Sequence, residues 1–453
     1  KKAPLYNPGE NSPEIKYLKE RRQKLGGFQP IRRHGAETLD TPDLKSFKSL
    51  LTGSGNREYS TTMAFVKLLT LLTKDKKIGK NIVPIIPDEA RTFGIDPLFR
   101  QLGIYSHVGQ IYDPVDSDQY LYYREDKKGQ ILEEGITEAG AISSFIAAGM
   151  AHSTYGKNMI PFYIYYSMFG FQRVGDFIWA AADMRVRGFL IGATSGRTTL
   201  AGEGLQHQDG HSLLAASVVP NLKAYDPAYS YELAVIIQDG LKQMYHDGKD
   251  IFYYITVQNE NYSHPDMPEN TQEGIIKGLY CIQEAKPDMP KVRLLGSGSL
   301  LREAKAAAEL LEKDWNITSE IWSVTSYSEL RKESENIRRW NTLHPNKKQK
   351  TCWLNQNLGD CSSPIIAVSD YVKLVSEQIA AYTPCSFSAL GTDGFGRSDN
   401  RESLREFFEV NRFYIVVSAI NALYREGKLD QSVVLNSIKK YKIDTEKPNP
   451  LEV

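Results

Sequence analysis

The 453-residue sequence has no excess charge of either sign and no long apolar run. Lysine plus arginine and aspartate plus glutamate number 55 each, so no overall field attracts a nucleic acid or an anionic membrane. No apolar stretch approaches the roughly 18–20 residues that a membrane-spanning helix needs. We therefore expect neither a nucleic-acid nor a membrane partner, and any binding must come from local sites.

Cysteine is also scarce in this sequence. The four thiols include no C-x-x-C pair, which disfavours both a disulfide framework and a zinc site. This usage indicates a reducing, cytoplasmic compartment in which the thiols are structural or incidental. The four are Cys281, Cys352, Cys361 and Cys385.

Short apolar strands alternate with helices along most of the chain. After a mixed leading arm, apolar runs at 82–87, 159–166, 188–193 and 251–257 are separated by stretches with helical periodicity. Such alternation is typical of a parallel sheet covered by helices on both faces. A polar, proline-rich segment at 257–274 then indicates a domain boundary. The sequence predicts an α/β fold with two domains.

The second domain repeats this alternation. Gly296 and Gly298 imitate a dinucleotide-binding fingerprint, but position 301 is Leu, so the pair indicates only a tight turn. Strands are predicted at 291–296, 319–324 and 364–370, and helices at 299–315, 371–382, 400–410 and 430–441.

Four loops at predicted strand ends carry ionisable or aromatic side chains. Ligands of parallel sheets collect beyond the carboxyl ends of the strands, so these loops are candidate pocket walls. They hold Asp88 and Glu89 after the first strand, Glu138 before an Ala-rich helix, the aromatic turn YYSMFGFQR (165–173), and the loop TSGRTTLAGEGLQHQDGHS (194–212) with His207 and His211.

A structural explanation stays open for each of these loops. Asp88 and Glu89 suit an N-cap and a first helical turn, and an exposed Glu138 would be stabilised by the helix dipole. If Glu138 is instead buried, its pKa would rise and it could exchange a proton near neutrality. The aromatic turn suits a core as well as a stacking platform for a planar heteroaromatic ligand. His207 fits a structural and a chemical role equally.

Long blocks of the sequence resemble the homodimeric, bacterial type of pyruvate dehydrogenase, the thiamine-diphosphate-dependent decarboxylating component of a multienzyme complex. They include DEARTFGIDPLFRQLGIYS, EEGITEAGA, MIPFYIYYSMFGFQRVGD and LGTDGFGRSDNRESLREFFEV, besides the 194–212 loop. The resemblance implies a transketolase-like architecture. Residues 1–37 would be a connector, 38–267 the domain that holds the cofactor's pyrimidine ring, and 268–453 the C-terminal domain.

The resemblance also implies roles for individual residues. Glu138 matches the carboxylate that hydrogen-bonds a pyrimidine ring nitrogen, and His207 matches an active-site histidine at the reacting centre, a candidate acid or base in acyl transfer. Residues 108–123 match a mobile loop beside the pocket. Further residues that would contact the cofactor or line its pocket are Asp88, Glu89, Ile136, Tyr166, Phe169, Arg173 and Glu203.

By the same resemblance, the protein decarboxylates pyruvate and passes the acetyl unit to the lipoyl domain of dihydrolipoyl acetyltransferase, with thiamine diphosphate and Mg²⁺ as cofactors. That family holds the diphosphate and metal through oxygen ligands in Gly-Asp-Gly and a later Asn-Asn pair. This sequence contains no such motif and does not start with Met. We therefore expect the diphosphate-binding domain to lie outside this chain, which alone would hold half a site and little activity.

Two other functions stay open. A transketolase-like transferase would act on sugar phosphates, which need basic clamps, and the pocket loops offer mainly Arg173 and Arg197. A non-catalytic dimerisation or scaffold piece would be consistent with the missing diphosphate motif.

Overall fold

Two β-sheets with flanking helices organise the chain. The computed structural model describes residues 6–24, 27, 36–88, 90–113, 115, 123–360 and 362–453. Glu89, Cys361 and half of the predicted mobile loop (114 and 116–122) lie outside these residues. The predicted transketolase-like α/β fold with two mainly parallel sheets is confirmed for the part that is described.

The first sheet has six strands in the described residues, and all of its pairings are parallel. Its strands are near-continuously apolar because both faces are buried. In strand Ile160–Tyr166, Phe162 belongs to the hydrophobic core that includes helix Thr61–Thr73. Tyr163, on the opposite face of the sheet, belongs to the core that includes helix Glu138–Gly149. The strand order is Leu132–Glu133, Ile82–Ile86, Ile160–Tyr166, Phe189–Ala193, Phe252–Thr256 and Leu222–Tyr225.

Local signals explain where several helices of this half begin. Ser60 caps helix Thr61–Thr73 because its hydroxyl accepts a hydrogen bond from the Met63 amide at 3.2 Å. The leading helix Pro13–Lys24 has no buried residue, as expected of a solvated face. The other α-helices are Lys48–Leu51, Pro97–Leu102, Glu138–Gly149, Ala151–Thr154, Ser167–Met184, Ser212–Ser217, Ser230–Leu241 and Gln272–Lys277. Paired two-residue strands are Glu58–Tyr59 with Tyr262–Ser263, and Ile104–Tyr105 with Glu125–Asp126.

The second sheet has one antiparallel edge. Its first strand, Leu279–Gln283, runs antiparallel to its neighbour, and the other pairings are parallel. The order is Leu279–Gln283, Thr318–Val324, Lys291–Gly296, Ile365–Val368 and Phe387–Leu390. Its helices are Leu301–Trp315, Tyr327–Leu343, Trp353–Leu358, Leu374–Glu377, Arg401–Phe407, Arg412–Arg425 and Gln431–Lys440.

A buried carboxylate joins the two halves. Glu232, in the first turn of helix Ser230–Leu241, accepts hydrogen bonds from the hydroxyls of Tyr280 and Ser323, both at 2.6 Å. These hydroxyls belong to the second sheet, so it docks directly on the first half.

No described helix is long and apolar enough to cross a membrane.

Two local predictions are wrong. The segment 371–382 is not one helix, because only Leu374–Glu377 is α-helical, and before it the Val372 amide is bonded to the Gly210 carbonyl at 2.8 Å. The aromatic stretch 165–173 is not a turn, because helix Ser167–Met184 already begins there and merely kinks at Val174.

Candidate active site

The first wall of the candidate site is the N-terminus of helix Glu138–Gly149. Thr137 caps this helix, its hydroxyl accepting a hydrogen bond from the Gly140 amide at 3.2 Å. Glu138 is therefore the first helical residue, where the helix dipole favours a negative charge. Its side chain is only 14% exposed and accepts a hydrogen bond from Arg173 Nη1 at 2.8 Å. Glu138 is thus largely shielded from water and has a fixed partner.

Arg173 connects this carboxylate to an aromatic cluster. Its guanidinium carbon lies 3.9 Å from the centroid of the Phe169 ring, a close cation–π contact. The Phe169 ring is 5.9 Å from that of Tyr166, and Phe93 lies 5.3 Å from Tyr166 on another side. Tyr166 and Phe169 are half-buried, whereas the neighbouring Tyr165 is fully buried in the core. Tyr166 and Phe169 are therefore candidates for the stacking platform, which stays a prediction.

His207 completes the cluster from the 194–212 loop. Its ring lies 4.9 Å from that of Tyr166 and 5.3 Å from that of Phe169. The side chain is 16% exposed, and its Nδ1 atom lies 3.2 Å from a carboxylate oxygen of Glu203. That contact does not have hydrogen-bond geometry, so Nδ1 is buried without a hydrogen-bond partner among the described residues. A buried polar atom left in this way is costly unless a ligand or water satisfies it.

The second half of the chain holds the 194–212 loop in place. The buried Gln208 side chain donates to the Leu200 carbonyl and accepts from the Arg397 amide, both at 2.8 Å. Arg401 Nε donates to the Thr199 carbonyl, also at 2.8 Å. Gly204 lies so close to this segment that a Cβ there would meet the Ser398 hydroxyl at 2.3 Å. The segment 391–399, which carries Arg397 and Ser398, therefore supports the site.

A buried carboxylate fixes the start of the loop. Asp370 accepts hydrogen bonds from the amides and hydroxyls of Thr198 and Thr199, at 2.6–2.9 Å. Burial raises the pKa of Asp370, and these hydrogen bonds oppose that shift. At Gly196, whose φ is +88°, a Cβ would meet an Asp370 oxygen at 2.3 Å, so this tight approach requires glycine.

Asp209 orders the end of the loop, including His211. Its carboxylate accepts hydrogen bonds from the amides of His211 and Ser212, both at 2.9 Å, and from the Ser212 hydroxyl. The His211 ring lies farther away, with Nδ1 3.9 Å from Asp209. This geometry favours a structural role for His211, at the start of helix Ser212–Ser217.

A carboxylate that the sequence did not single out lies beside this wall. Burial and, to a lesser extent, the charge of Asp88 raise the pKa of Glu133 to about 7, against the effect of a hydrogen bond with Tyr123. Asp88 itself is exposed at the end of strand Ile82–Ile86. Glu133 ends its own strand, so the rule that pointed to Asp88 applied to it equally.

The candidate residues thus fall into two groups. Contacts run from Glu138 through Arg173, Phe169 and Tyr166 to His207 and Glu203. Asp88 and Ile136 lie outside this line of contacts, and Ile136 is 78% exposed. Within the described residues, no group of three or more His, Cys, Asp or Glu could hold a metal ion. The arrangement offers a carboxylate, an imidazole and flat aromatic surfaces, which suit proton transfer at a planar ligand.

The sequence is similar to known proteins over its whole length. The profile of the pyruvate dehydrogenase E1 component middle domain matches residues 38–265, and that of the transketolase-like TK C-terminal domain matches residues 278–411. The pyruvate dehydrogenase E1 component of Pseudomonas aeruginosa is 57% identical over 453 residues, which are 100% of this chain and 51% of the relative. That of Escherichia coli strain K12 is 51% identical over 452 residues, 99% of this chain and 51% of the relative. The chain spans about half the length of the curated relatives it matches.

A solved structure shares the fold at much lower identity. The transketolase of Campylobacter jejuni matches with a TM-score of 0.60 and 17% identity, covering 91% of this chain and 51% of that chain. Similarity at this level supports the architecture and says nothing about the substrate.

Proposed function

Because this chain belongs to the pyruvate dehydrogenase E1 component family, we propose that it carries the pyrimidine-binding half of a thiamine-diphosphate-dependent pyruvate dehydrogenase site. The family predicted from the sequence blocks is confirmed. The observation that carries the functional proposal is the unbroken line of contacts from Glu138 to His207. It places a shielded carboxylate and a shielded imidazole on either side of two half-buried aromatic rings.

The described residues fit a planar, hydrogen-bonding ring. One Glu138 oxygen accepts from Arg173, and no described residue donates to the other, which is free to meet a ring nitrogen. Tyr166 and Phe169 present faces against which such a ring can pack. The unsatisfied Nδ1 of His207 is a further polar atom that a ligand can satisfy.

Each residue then has a defined task. Bound thiamine diphosphate supplies the nucleophilic carbon and the electron sink for decarboxylation of a 2-oxo acid. Glu138 would share a proton with a nitrogen of the pyrimidine ring, and Arg173 keeps the carboxylate oriented. His207 holds or moves a proton beside the reacting centre, with Glu203 within reach of its Nδ1 atom. Asp88 and Ile136, which lie outside the line of contacts, would belong to the rim of the pocket.

The remainder of the site is proposed to come from elsewhere. The diphosphate and Mg²⁺ would be held by a domain outside this chain, and the acetyl unit would pass to the lipoyl domain of dihydrolipoyl acetyltransferase. The protein would act as a homodimer. The family membership supports these points, together with the match of this chain to about half the length of its relatives.

An assay with two substrates tests the proposed reaction. The full-length protein, supplied with thiamine diphosphate and Mg²⁺, should reduce ferricyanide when pyruvate is added. It should not transfer a two-carbon unit from a ketose phosphate. Product from the ketose phosphate alone would establish a transketolase-like reaction instead. Failure with both substrates, combined with no binding of thiamine diphosphate in calorimetry, would establish a non-catalytic piece.

A further inference from the structure

A second concave site lies in the C-terminal half, beside helix Tyr327–Leu343. Its cavity of about 590 Å³ is within the usual size of small-ligand pockets, roughly 300–1,000 Å³. The walls come from that helix, from the loop that follows it, from helix Trp353–Leu358, and from residues 381–384. None of these residues belongs to the candidate active site. The lining contains two cations, Arg338 and Lys350, and no carboxylate.

The positive charge of this region is unusual for a chain with no net charge. Between residues 336 and 359 there are five lysines and arginines and no aspartate or glutamate. No carboxylate of the described chain lies within 4.0 Å of Arg338 or Lys350. The nearest acid in sequence, Glu335, is already bonded to Arg331 at 2.8 Å and to the Tyr382 hydroxyl at 3.2 Å. No carboxylate neutralises either cation in the described chain, so both can bind an anionic ligand.

Both cations are held in place by aromatic rings. The Arg338 guanidinium lies 4.2 Å from the centroid of Tyr382 and donates one hydrogen bond to the Ala381 carbonyl at 2.9 Å. The Lys350 ammonium lies 4.1 Å from the Trp340 ring. Guanidinium has five N–H donors, so most of those on Arg338 stay available. Ordering the cations in advance lowers the entropy cost of binding.

The loop that carries Lys350 is pinned as well. Asn341 bonds to the backbone of Lys350 twice, donating to its carbonyl and accepting from its amide, both at 2.9 Å. The cavity wall is therefore a built part of the domain, with side-chain amides fixing its backbone.

Two buried polar atoms in the lining lack partners. Ser334 is nearly fully buried, and neither its hydroxyl nor the Oδ1 atom of Asn355 has a hydrogen-bond partner in the part of the chain that is described. Both residues line the cavity. Buried polar atoms without a partner are rare in folded proteins, and they point to a ligand or water that forms the missing hydrogen bond. A serine hydroxyl can donate to an anion, which agrees with the charge of the wall.

We propose that this cavity binds a small molecule with at least two negative groups, either phosphates or carboxylates. Arg338 and Lys350 would hold the charged groups, and the Ser334 hydroxyl would donate at the base of the cavity. A small ligand is favoured over an acidic protein surface because the unpartnered atoms lie inside the cavity. The site is separate from the proposed chemistry, so its occupant would act as an effector or a stabilising ligand.

Calorimetric titration of the full-length protein tests this proposal, with sodium pyrophosphate and sodium citrate as probes at constant ionic strength. One of the two should bind saturably, and which one binds identifies phosphate or carboxylate as the recognised group. The double variant Arg338→Gln/Lys350→Gln should bind that probe at least about tenfold more weakly, because two charge-assisted contacts are lost.

A matched control removes the same charge from the same region. Lys347 and Lys348 are exposed on the loop before Lys350 but do not line the cavity. Lys347→Gln/Lys348→Gln should bind the probe within about twofold of the parent. Equal weakening in both double variants would mean general surface attraction and would overturn the site. Absence of saturable binding for both probes, or binding of acidic proteins alone, would overturn it too.

Discussion

The Nδ1 atom of His207 lies 3.2 Å from a carboxylate oxygen of Glu203 without forming a hydrogen bond to it. The two residues are four positions apart in one loop, and the Glu203 side chain is about half exposed. The contact therefore places a carboxylate directly beside the imidazole to which we assign proton transfer.

Replacement of His207 should impair acyl transfer. His207→Ala is expected to lower acetyl transfer to the lipoyl domain by about 10²–10⁴-fold, the usual range for loss of a general acid or base. Decarboxylation measured with ferricyanide should fall less, because that readout bypasses the lipoyl group. His211→Ala is the control, since His211 lies in the same loop outside the aromatic cluster. Equal losses in both histidine variants would contradict the assignment.

Replacement of Glu138 should impair decarboxylation itself. Glu138→Gln keeps the shape of the side chain but cannot share a proton with the pyrimidine ring, so pyruvate-dependent reduction of ferricyanide should fall about 10²–10⁴-fold. Glu273→Gln is the matched control, because Glu273 is also an acid in a first helical turn but is exposed and lies outside the candidate site. Unchanged activity of Glu138→Gln would remove Glu138 from the proposed mechanism.

The hydrogen bonds of the Gln208 side chain, one of which reaches the second half of the chain, should contribute to stability. Gln208→Ala leaves the Leu200 carbonyl and the Arg397 amide without their partner, and each unsatisfied group costs about 1–3 kcal/mol. Urea unfolding should therefore show a loss of about 2 kcal/mol or more. The adjacent Gln206 is exposed, so Gln206→Ala should change stability by less than about 0.5 kcal/mol. A similar effect of the two substitutions would show that the Gln208 hydrogen bonds do not contribute to the free energy of unfolding.

Two glycines of one helix should respond in opposite ways. In helix Ser167–Met184, a Cβ at Gly170 would lie 2.2 Å from the Tyr165 ring, whereas a Cβ at Gly175 has no heavy atom within 4 Å. Gly170→Ala should therefore destabilise the protein by about 1–3 kcal/mol through overpacking. Gly175→Ala should be neutral or stabilising by up to about 1 kcal/mol, since alanine favours the helix. Thermal unfolding of both variants measures the contrast, and equal midpoints would contradict the packing.

Glu133 should make stability depend on pH near neutrality. Its pKa is raised to about 7 in the folded protein, against about 4.3 in an unfolded chain. Between these values the native state keeps a proton that the unfolded state has released, so the contribution of Glu133 to stability falls as pH rises. That loss is complete above about pH 7.

Glu133→Gln should remove this dependence. The stability of the variant relative to the parent should rise by about 1 kcal/mol between about pH 5 and pH 8, a figure reduced for the partial exposure of the side chain. Asp88→Asn should lower the Glu133 pKa and shrink the same effect, because the Asp88 charge contributes to the shift. Urea midpoints at both pH values provide the measurement, and identical pH profiles for parent and Glu133→Gln would refute it.

The elements that were predictable are those with a local cause. Strand Ile160–Tyr166 is apolar on both faces because both faces are covered, and Ser60 is a cap with a visible signature. The start of helix Ser167–Met184 was missed because Tyr166 precedes it without a side-chain cap, so no residue type signals the boundary. The pattern at 371–382 looked helical because its competing bond, from Val372 to Gly210, comes from a distant loop.

The site was predictable to a similar degree. Glu138, Tyr166, Phe169 and His207 were found because they follow strands and lie in family blocks, although their roles stay predictions. The support that Gln208 receives from Arg397 has no local pattern, because the two residues are 189 positions apart. The residue type of a loop carboxylate does not indicate whether packing will bury it, so its burial becomes known only from the structure.

The contact between the 194–212 loop and residues 391–401 also sets an order of events. Contacts between such distant segments form late, because the entropy of closing the intervening chain has to be overcome first. The parallel strands of the first sheet lie entirely before residue 257 and can pair without the second half. A polypeptide growing on the ribosome can therefore pair the strands of its first sheet before residues 391–401, which support the histidine loop, have been synthesised.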